Sequence, residues 1–173
     1  MNPQDGISKG STISTFPAEA KLENPSRPHR VFQNEKLHVI TVIANPNRYE
    51  SRIKLADKFA KHILSFPRTE LHIIECTYFG RTPELDHIEC DHYTLDFGDE
   101  GEFFLKEGPI NYGFRSCLPS NWTKAAWIDA DLIFTRPTWV EETLFELDHY
   151  PVLQPWSDSV DLGPSGGCSG RVG

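Results

Sequence analysis

The sequence predicts an α/β domain with a mainly parallel β-sheet flanked by helices. Apolar runs rich in β-branched residues alternate along the chain with segments whose apolar residues recur at helical spacing. The runs are nearly continuous, which is typical of strands buried on both faces of a sheet. Strands that alternate with helices favour parallel pairing through right-handed crossovers.

The first half of this pattern is a strand, a helix and a second strand. Residues 37–44 (LHVITVIA) form the most apolar run, which stops at the turn signal Asn45-Pro46-Asn47. Ser51 is a suitable N-cap, and apolar residues recur behind it at helical spacing as far as Ser65-Phe66-Pro67. Residues 70–77 (ELHIIECT) predict the second strand.

The second half continues the alternation with shorter elements. Residues 92–97 (HYTLDF) predict a third strand, and a helix is expected over 107–118. Residues 124–128 (KAAWI) predict a compact apolar strand, which is followed by a helix that Thr138 can cap. Residues 151–155 (PVLQP) are expected to form a last short strand.

Composition indicates where this domain begins and ends. Residues 1–35 contain scattered Pro, Ser and Gly and show neither strand nor helix periodicity, so they are predicted to be a flexible tail. The domain is expected over 36–162. Residues 163–173 contain little that could pack and are predicted to be a loose tail, as if the chain were truncated before its next element.

Charge and hydropathy exclude several classes of function. The chain has 17 Lys and Arg against 25 Asp and Glu, a net charge of −8, so no nucleic-acid partner is expected. No apolar run is long enough to span a membrane, and the first residues lack the features of a secretory signal. A cytoplasmic location is therefore expected. An oligomer is also considered, because a truncated sheet would leave apolar surface uncovered.

The cysteines form no CxxC pair. They are Cys76, Cys90, Cys117 and Cys168. Ordinary reduced thiols are the expectation. The alternative is a zinc site built from His87, Cys90 and His92 with Cys76 as a fourth ligand, although these spacings match no familiar zinc module. The seven histidines are otherwise interpreted as structural.

The most informative motif is the segment 127–134 (WIDADLIF). Asp129 and Asp131 follow an apolar strand, and in extended backbone residues two apart point to the same side. A divalent cation would remove the repulsion between two such carboxylates, and their hard oxygen ligands suit Mn²⁺ or Mg²⁺. The motif therefore predicts a metal site at the carboxyl end of a strand, where α/β sheets bind ligands. The alternative is a solvated acidic turn.

In order and spacing, the strand 37–44, the turn 45–52 and the segment 127–134 resemble the nucleotide-binding half of GT-A glycosyltransferases, which have the nucleotide-diphospho-sugar transferase fold. The similarity covers roughly residues 37–160. It implies a Rossmann-like sheet and transfer of a sugar from a nucleoside-diphosphate sugar, with a UDP-sugar favoured, to an unknown acceptor. It also implies Mn²⁺ or Mg²⁺ as cofactor.

The acceptor-binding half of such enzymes is not visible after Leu162. The first alternative is therefore a non-catalytic module that binds a nucleotide sugar. The second is another metal-dependent nucleotide chemistry, such as phosphate hydrolysis or nucleotidyl transfer.

The resemblance also implies roles for single residues. Contacts to the donor nucleotide would come from Asn45, Arg48, Tyr49, Arg52, Lys106 and Asn111. Asp129 would face the ribose or the metal, and Asp131 would coordinate the metal directly. Asp158 or Asp161 could supply a catalytic carboxylate near the acceptor. For the donor-contacting residues, the alternative is that they only cover helix surfaces.

Overall fold

The computed structural model of the chain describes residues 35–98, 106–163 and 167–172. The predicted N-terminal tail up to residue 34 lies outside the described residues. The elements below belong to one unit, Asn34–Gly173.

Four parallel strands form the main sheet. They are β1 (Leu37–Ala44), β2 (Thr69–Thr77), β3 (Asp91–Asp96) and β4 (Ala125–Trp127), and their order in the sheet is β3-β2-β1-β4. In the register, Leu37 lies opposite Thr69, and Ile40 lies opposite Trp127. The predicted α/β class with a mainly parallel sheet is confirmed. The bounds predicted for β1 agree with the observed ones, and those of the other three strands agree to within one residue at each end.

Helices cover both faces of this sheet. Helices α1 (Glu50–Leu64) and α3 (Trp139–Glu146) pack through Phe59, Ile63 and Trp139 on one face. Helix α2 (Glu107–Tyr112) continues as a π-helical turn, Gly113–Cys117, on the other face. Every residue of β1 is buried, which explains its continuous apolar sequence. None of the described helices has the length and apolar character needed to cross a membrane.

The start of α1 differs from the sequence-based expectation. Ser51 lies inside the first turn, and the N-cap position is Tyr49, whose side chain makes no capping bond. The side chain of Asn45 holds the start of the helix instead. Its Oδ1 accepts the N–H of Tyr49 at 2.9 Å, and its Nδ2 donates to the Tyr49 carbonyl at 3.2 Å. The predicted Ser51 cap is therefore wrong, because the side-chain amide of Asn45, four residues before Tyr49, fixes the turn that leads into the helix.

The C-terminal region also differs from expectation. No strand forms over 151–155, where a proline stands at each end and Val152 is 84% exposed, so the predicted last strand is wrong. Two other strands, β5 (Ser159–Leu162) and β6 (Cys168–Val172), pair antiparallel with each other. Strand β6 lies within the stretch 163–173 that was predicted to be a loose tail.

Candidate functional site

The loops that follow β1, β2 and β4 lie at one edge of the sheet, because the carboxyl ends of parallel strands meet at the same side. We call this side the carboxyl edge. The chain runs outward from β1 through β2 to β3 and then returns to the other side of β1 as β4. The strand order therefore reverses between β1 and β4, and at such a point open α/β sheets form a ligand-binding crevice.

The two predicted metal ligands lie in the loop that follows β4. The N–H of Ile128 still donates to the Ile40 carbonyl at 3.0 Å, but the N–H of Leu132 then turns back to the Asp129 carbonyl at 3.4 Å. Asp129 and Asp131 therefore stand in a turn and not in extended backbone, which corrects the geometry expected from the sequence. Asp131 is exposed, and it forms no hydrogen bond or ion pair with any of the described residues.

Asp129 is paired with a residue that was predicted to contact the donor. Its Oδ1 accepts a hydrogen bond from Nζ of Lys106, which directly precedes α2. The pair is partly open to solvent, since the side chain of Asp129 is 47% exposed. Lys106 neutralises one of the two carboxylates of the motif, while the other stays free. Asn111, the second donor contact predicted in this region, lies exposed on α2.

The turn after β1 holds the other predicted donor contacts, and they divide into two groups. Asn45 is buried and organises the turn, while Nη1 of Arg52 donates to the Ala44 carbonyl at 2.9 Å. These two side chains therefore stabilise the loop. Arg48 and Tyr49 are exposed at the carboxyl edge, and Nε of Arg48 lies 3.9 Å from a carboxylate oxygen of Glu84.

Backbone strain is concentrated at this edge. Arg48 has φ +56°, and Phe79, two residues after the end of β2, has φ +59°. Bulky residues rarely adopt this left-handed conformation, and such strain tends to cluster at functional sites. A small pocket lies between the loop that follows β1 and the loop that follows β2. It is lined, among others, by Asn45, Arg48, Thr77, Tyr78, Arg81 and Glu84.

A buried carboxylate that sequence reasoning did not single out holds the loop after β2 in place. Glu75 Oε1 accepts the N–H of Glu84 at 2.6 Å, and its Oε2 accepts the N–H of Leu85 at 3.1 Å. The same Oε2 lies 2.9 Å from Nε2 of His92. All of these contacts are internal, so Glu75 acts as an anchor for the pocket wall.

The zinc quartet considered from the sequence is not assembled. His92 contacts Glu75, and His87 Nε2 contacts Asp57 Oδ1 at 2.7 Å. Burial raises the pKa of the Cys76 thiol to about 12 and that of Cys90 to about 11, so both are protonated at neutral pH. Cys76, Cys90 and Cys117 are free thiols.

A different group of potential ligands lies at the opposite, amino end of the sheet. Each of His38, Glu70 and His72 offers one ligand atom, and these atoms lie within 4.8 Å of one another; among the described residues this is the one set of three such side chains. From the sequence, these histidines were expected to be structural. The available signal was the spacing of Glu70 and His72, which places both on the same face of β2.

The residues predicted to serve the acceptor lie further along the chain. Asp158 is exposed and accepts a hydrogen bond from the Ser157 hydroxyl at 3.1 Å. Asp161 is exposed on β5, a strand that pairs with β6 and not with the main sheet. Nearby, the ring of Trp156 contacts Phe134 at 6.1 Å between centroids.

Comparisons with protein-family models, with curated proteins and with solved structures give no significant match to this chain. The assignment of function therefore depends on the residues and geometry described above.

Proposed function

We propose that the chain binds a nucleoside-diphosphate sugar at the carboxyl edge and is the donor-binding part of a metal-dependent glycosyltransferase of the GT-A type. The observation that carries the proposal is the position of Asp129 and Asp131. They follow β4 beside β1, where the strand order reverses. The turn that carries Arg48 and Tyr49 follows the neighbouring strand at the same edge.

The donor set at this edge fits a hard divalent cation such as Mn²⁺ or Mg²⁺. Asp131 offers a carboxylate without a partner among the described residues, and Asp129 offers a second carboxylate that Lys106 holds in the present state. When bound, the ion supplies Lewis-acid stabilisation of the charge on the leaving diphosphate.

The remaining roles belong to side chains of the chain itself. Lys106 and Arg48 carry positive charge into an acidic protein at the edge where the diphosphate would lie, and both are suited to phosphate oxygens. The exposed ring of Tyr49 offers a flat apolar face for a base. Asn45 and Arg52 fix the turn that carries Arg48 and Tyr49, so they act as positioning residues.

The test is isothermal titration of UDP in the presence of Mn²⁺. Asp131→Asn keeps the side-chain shape but removes the charge, and we expect it to abolish the joint dependence of UDP and Mn²⁺ binding. Glu141→Gln is the matched control, since Glu141 is an exposed acid in the first turn of α3. Equal UDP affinities for the wild type and Asp131→Asn would end the proposal.

A turnover assay separates the enzyme from a binding module. Release of UDP from a UDP-sugar, dependent on Mn²⁺ and lost in Asp131→Asn, supports transfer or donor hydrolysis. Tight binding without UDP release indicates a non-catalytic donor-binding domain.

A further inference from the structure

We propose that His38, Glu70 and His72 form a second metal site, distinct from the carboxyl edge, which binds a borderline divalent transition ion such as Zn²⁺. The three side chains lie at the amino end of β1 and β2, where His38 stands opposite Glu70 in the strand register. The site is independent of the nucleotide-sugar proposal, because it shares no residue with the carboxyl edge.

Two of the three separations between ligand atoms already match those around a zinc ion. Nδ1 of His38 lies 3.0 Å from Nε2 of His72 and 3.3 Å from Oε2 of Glu70. Ligands at the usual zinc distances in a tetrahedral site lie about 3.3 Å from one another. The remaining pair, Glu70 and His72, lies within 4.8 Å, so the three atoms are close enough to converge on one ion.

The chemistry of the set selects the class of ion. Two imidazole nitrogens and one carboxylate oxygen suit Zn²⁺ and its neighbours in the first transition row better than Mg²⁺ or Ca²⁺. Two histidines, one glutamate and a water molecule also form a known kind of zinc coordination sphere. Both rings are buried, so a ligated ion would lie largely shielded from solvent.

The surroundings orient the ligands. Oδ2 of Asp91 lies 3.2 Å from Nδ1 of His72, but the two atoms are not aligned for a hydrogen bond. This buried nitrogen has no hydrogen-bond partner among the described residues. The carboxylate favours the tautomer of His72 that carries its proton on Nδ1, which leaves the lone pair of Nε2 directed at His38. A carboxylate behind a ligating histidine is a common arrangement at metal sites.

The site is also accessible to ions from solution. The two histidines are buried, but the side chains of Glu70 and Asp91 are 37% and 62% exposed. Nζ of Lys36 donates to Oε1 of Glu70 at 2.7 Å, and Oε2 of Glu70 faces Nδ1 of His38 at 3.3 Å. Lys36 therefore holds one oxygen of Glu70 while the other is directed at the histidines.

The experiment measures binding of Zn²⁺ and Co²⁺ to chelator-treated full-length chain, with no nucleotide present. Zn²⁺ is titrated in competition with a chromophoric chelator, and Co²⁺ is followed by the visible absorption of its tetrahedral complexes. We expect one ion per chain and a raised melting temperature. Asp91→Asn, which changes an exposed positioning residue, should weaken Zn²⁺ binding about 10–100-fold.

Glu70→Gln removes the charged carboxylate of a ligand, so it should weaken Zn²⁺ binding by more than the roughly 10–100-fold expected for Asp91→Asn. It should also abolish the tetrahedral Co²⁺ spectrum. The matched control is Glu141→Gln, the same carboxylate-to-amide change at an exposed acid of α3 outside both candidate sites, which should leave both measurements unchanged. Circular dichroism before metal addition shows whether each variant is folded.

The proposal is overturned if the wild type binds no stoichiometric Zn²⁺ or Co²⁺. It is equally overturned if the folded Glu70→Gln and Asp91→Asn variants bind like the wild type, or if binding is lost in Glu141→Gln. Because UDP and Mn²⁺ are absent from this experiment, its failure leaves the proposed nucleotide-sugar function untouched, and the converse also holds.

Discussion

Replacing Gly113 with alanine tests how closely the π-helical turn packs on the sheet. A Cβ atom at this position would lie 2.6 Å from Cδ1 of Ile74 and 2.9 Å from Cγ2 of Ile40. Both isoleucines are fully buried in adjacent strands. Cγ2 of Ile40 is attached directly to its Cβ, so it can move away only if the side chain changes its χ1 rotamer inside the packed core, or if the backbone of β1 or of the π-helical turn shifts.

Two effects oppose each other in this variant. Overpacking a well-filled core costs about 1–3 kcal/mol. Alanine in place of glycine inside a helix returns at most about 1 kcal/mol. With two contacts below 3 Å the overpacking dominates, and we expect Gly113→Ala to lower the free energy of unfolding by roughly 1–2 kcal/mol.

The measurement is urea-induced unfolding followed by far-ultraviolet circular dichroism, with the midpoint and the slope fitted separately. Gly108→Ala is the matched control, because no atom lies within 4 Å of a Cβ built on this other glycine of the same helical segment. It should be neutral or slightly stabilising. If Gly113→Ala is as stable as Gly108→Ala, the close packing of the turn on β1 and β2 is refuted.

Three further predictions concern side chains outside the candidate site. Lys124 is buried and donates to the Leu144 carbonyl at 2.7 Å and to two carboxylates, so Lys124→Met should lower the free energy of urea unfolding by about 3 kcal/mol; a loss too small to resolve contradicts this account. Burial lowers the pKa of His62 below 6.5, and its Nε2 accepts the N–H of Phe134 at 3.0 Å, which requires the neutral ring. The unfolded state therefore binds the proton more readily, so the contribution of neutral His62 to stability is fully present above pH 6.5 and is lost as the pH falls below that value. His62→Gln should make the melting temperature fall less steeply with decreasing pH; the same pH dependence in the variant and the wild type contradicts this role of His62. Finally, the Cys76 thiol, with its pKa raised to about 12, should resist iodoacetamide in the native chain and react in urea, as peptide mass spectrometry can verify; rapid native labelling would contradict its burial.

The strands were predictable because their sequences carry a strong physical signal. The run from Leu37 to Ala44 is apolar on both faces, and only a central parallel strand with helices on both sides buries such a run completely. The failed strand at 151–155 had an apolar pair but no neighbour to bury it, and Val152 is largely exposed. A short apolar run between prolines is weak evidence for a strand, because pairing depends on the rest of the fold.

The candidate sites were predictable to different degrees. The sequence placed Asp129 at the end of an apolar strand, but it contained no local sign that Lys106 would pair with it from a segment 23 residues upstream. The histidine cluster was missed for a similar reason. His38 and His72 are 34 residues apart in the chain, and only the register of β1 against β2 brings their rings together.

Strand β1 connects the two candidate sites. His38, a ligand of the proposed zinc site, is its second residue, and Asn45, at the carboxyl edge, follows its last residue. From His38 to Asn45 the strand advances by about 23 Å at about 3.3 Å per residue. At such a separation, an ion at the amino end and a diphosphate at the other have no ligand in common and little direct electrostatic influence through salt solution. Occupancy of one site should leave the intrinsic affinity of the other unaltered. The losses of binding free energy caused by Glu70→Gln and by Asp131→Asn should therefore add in the double variant.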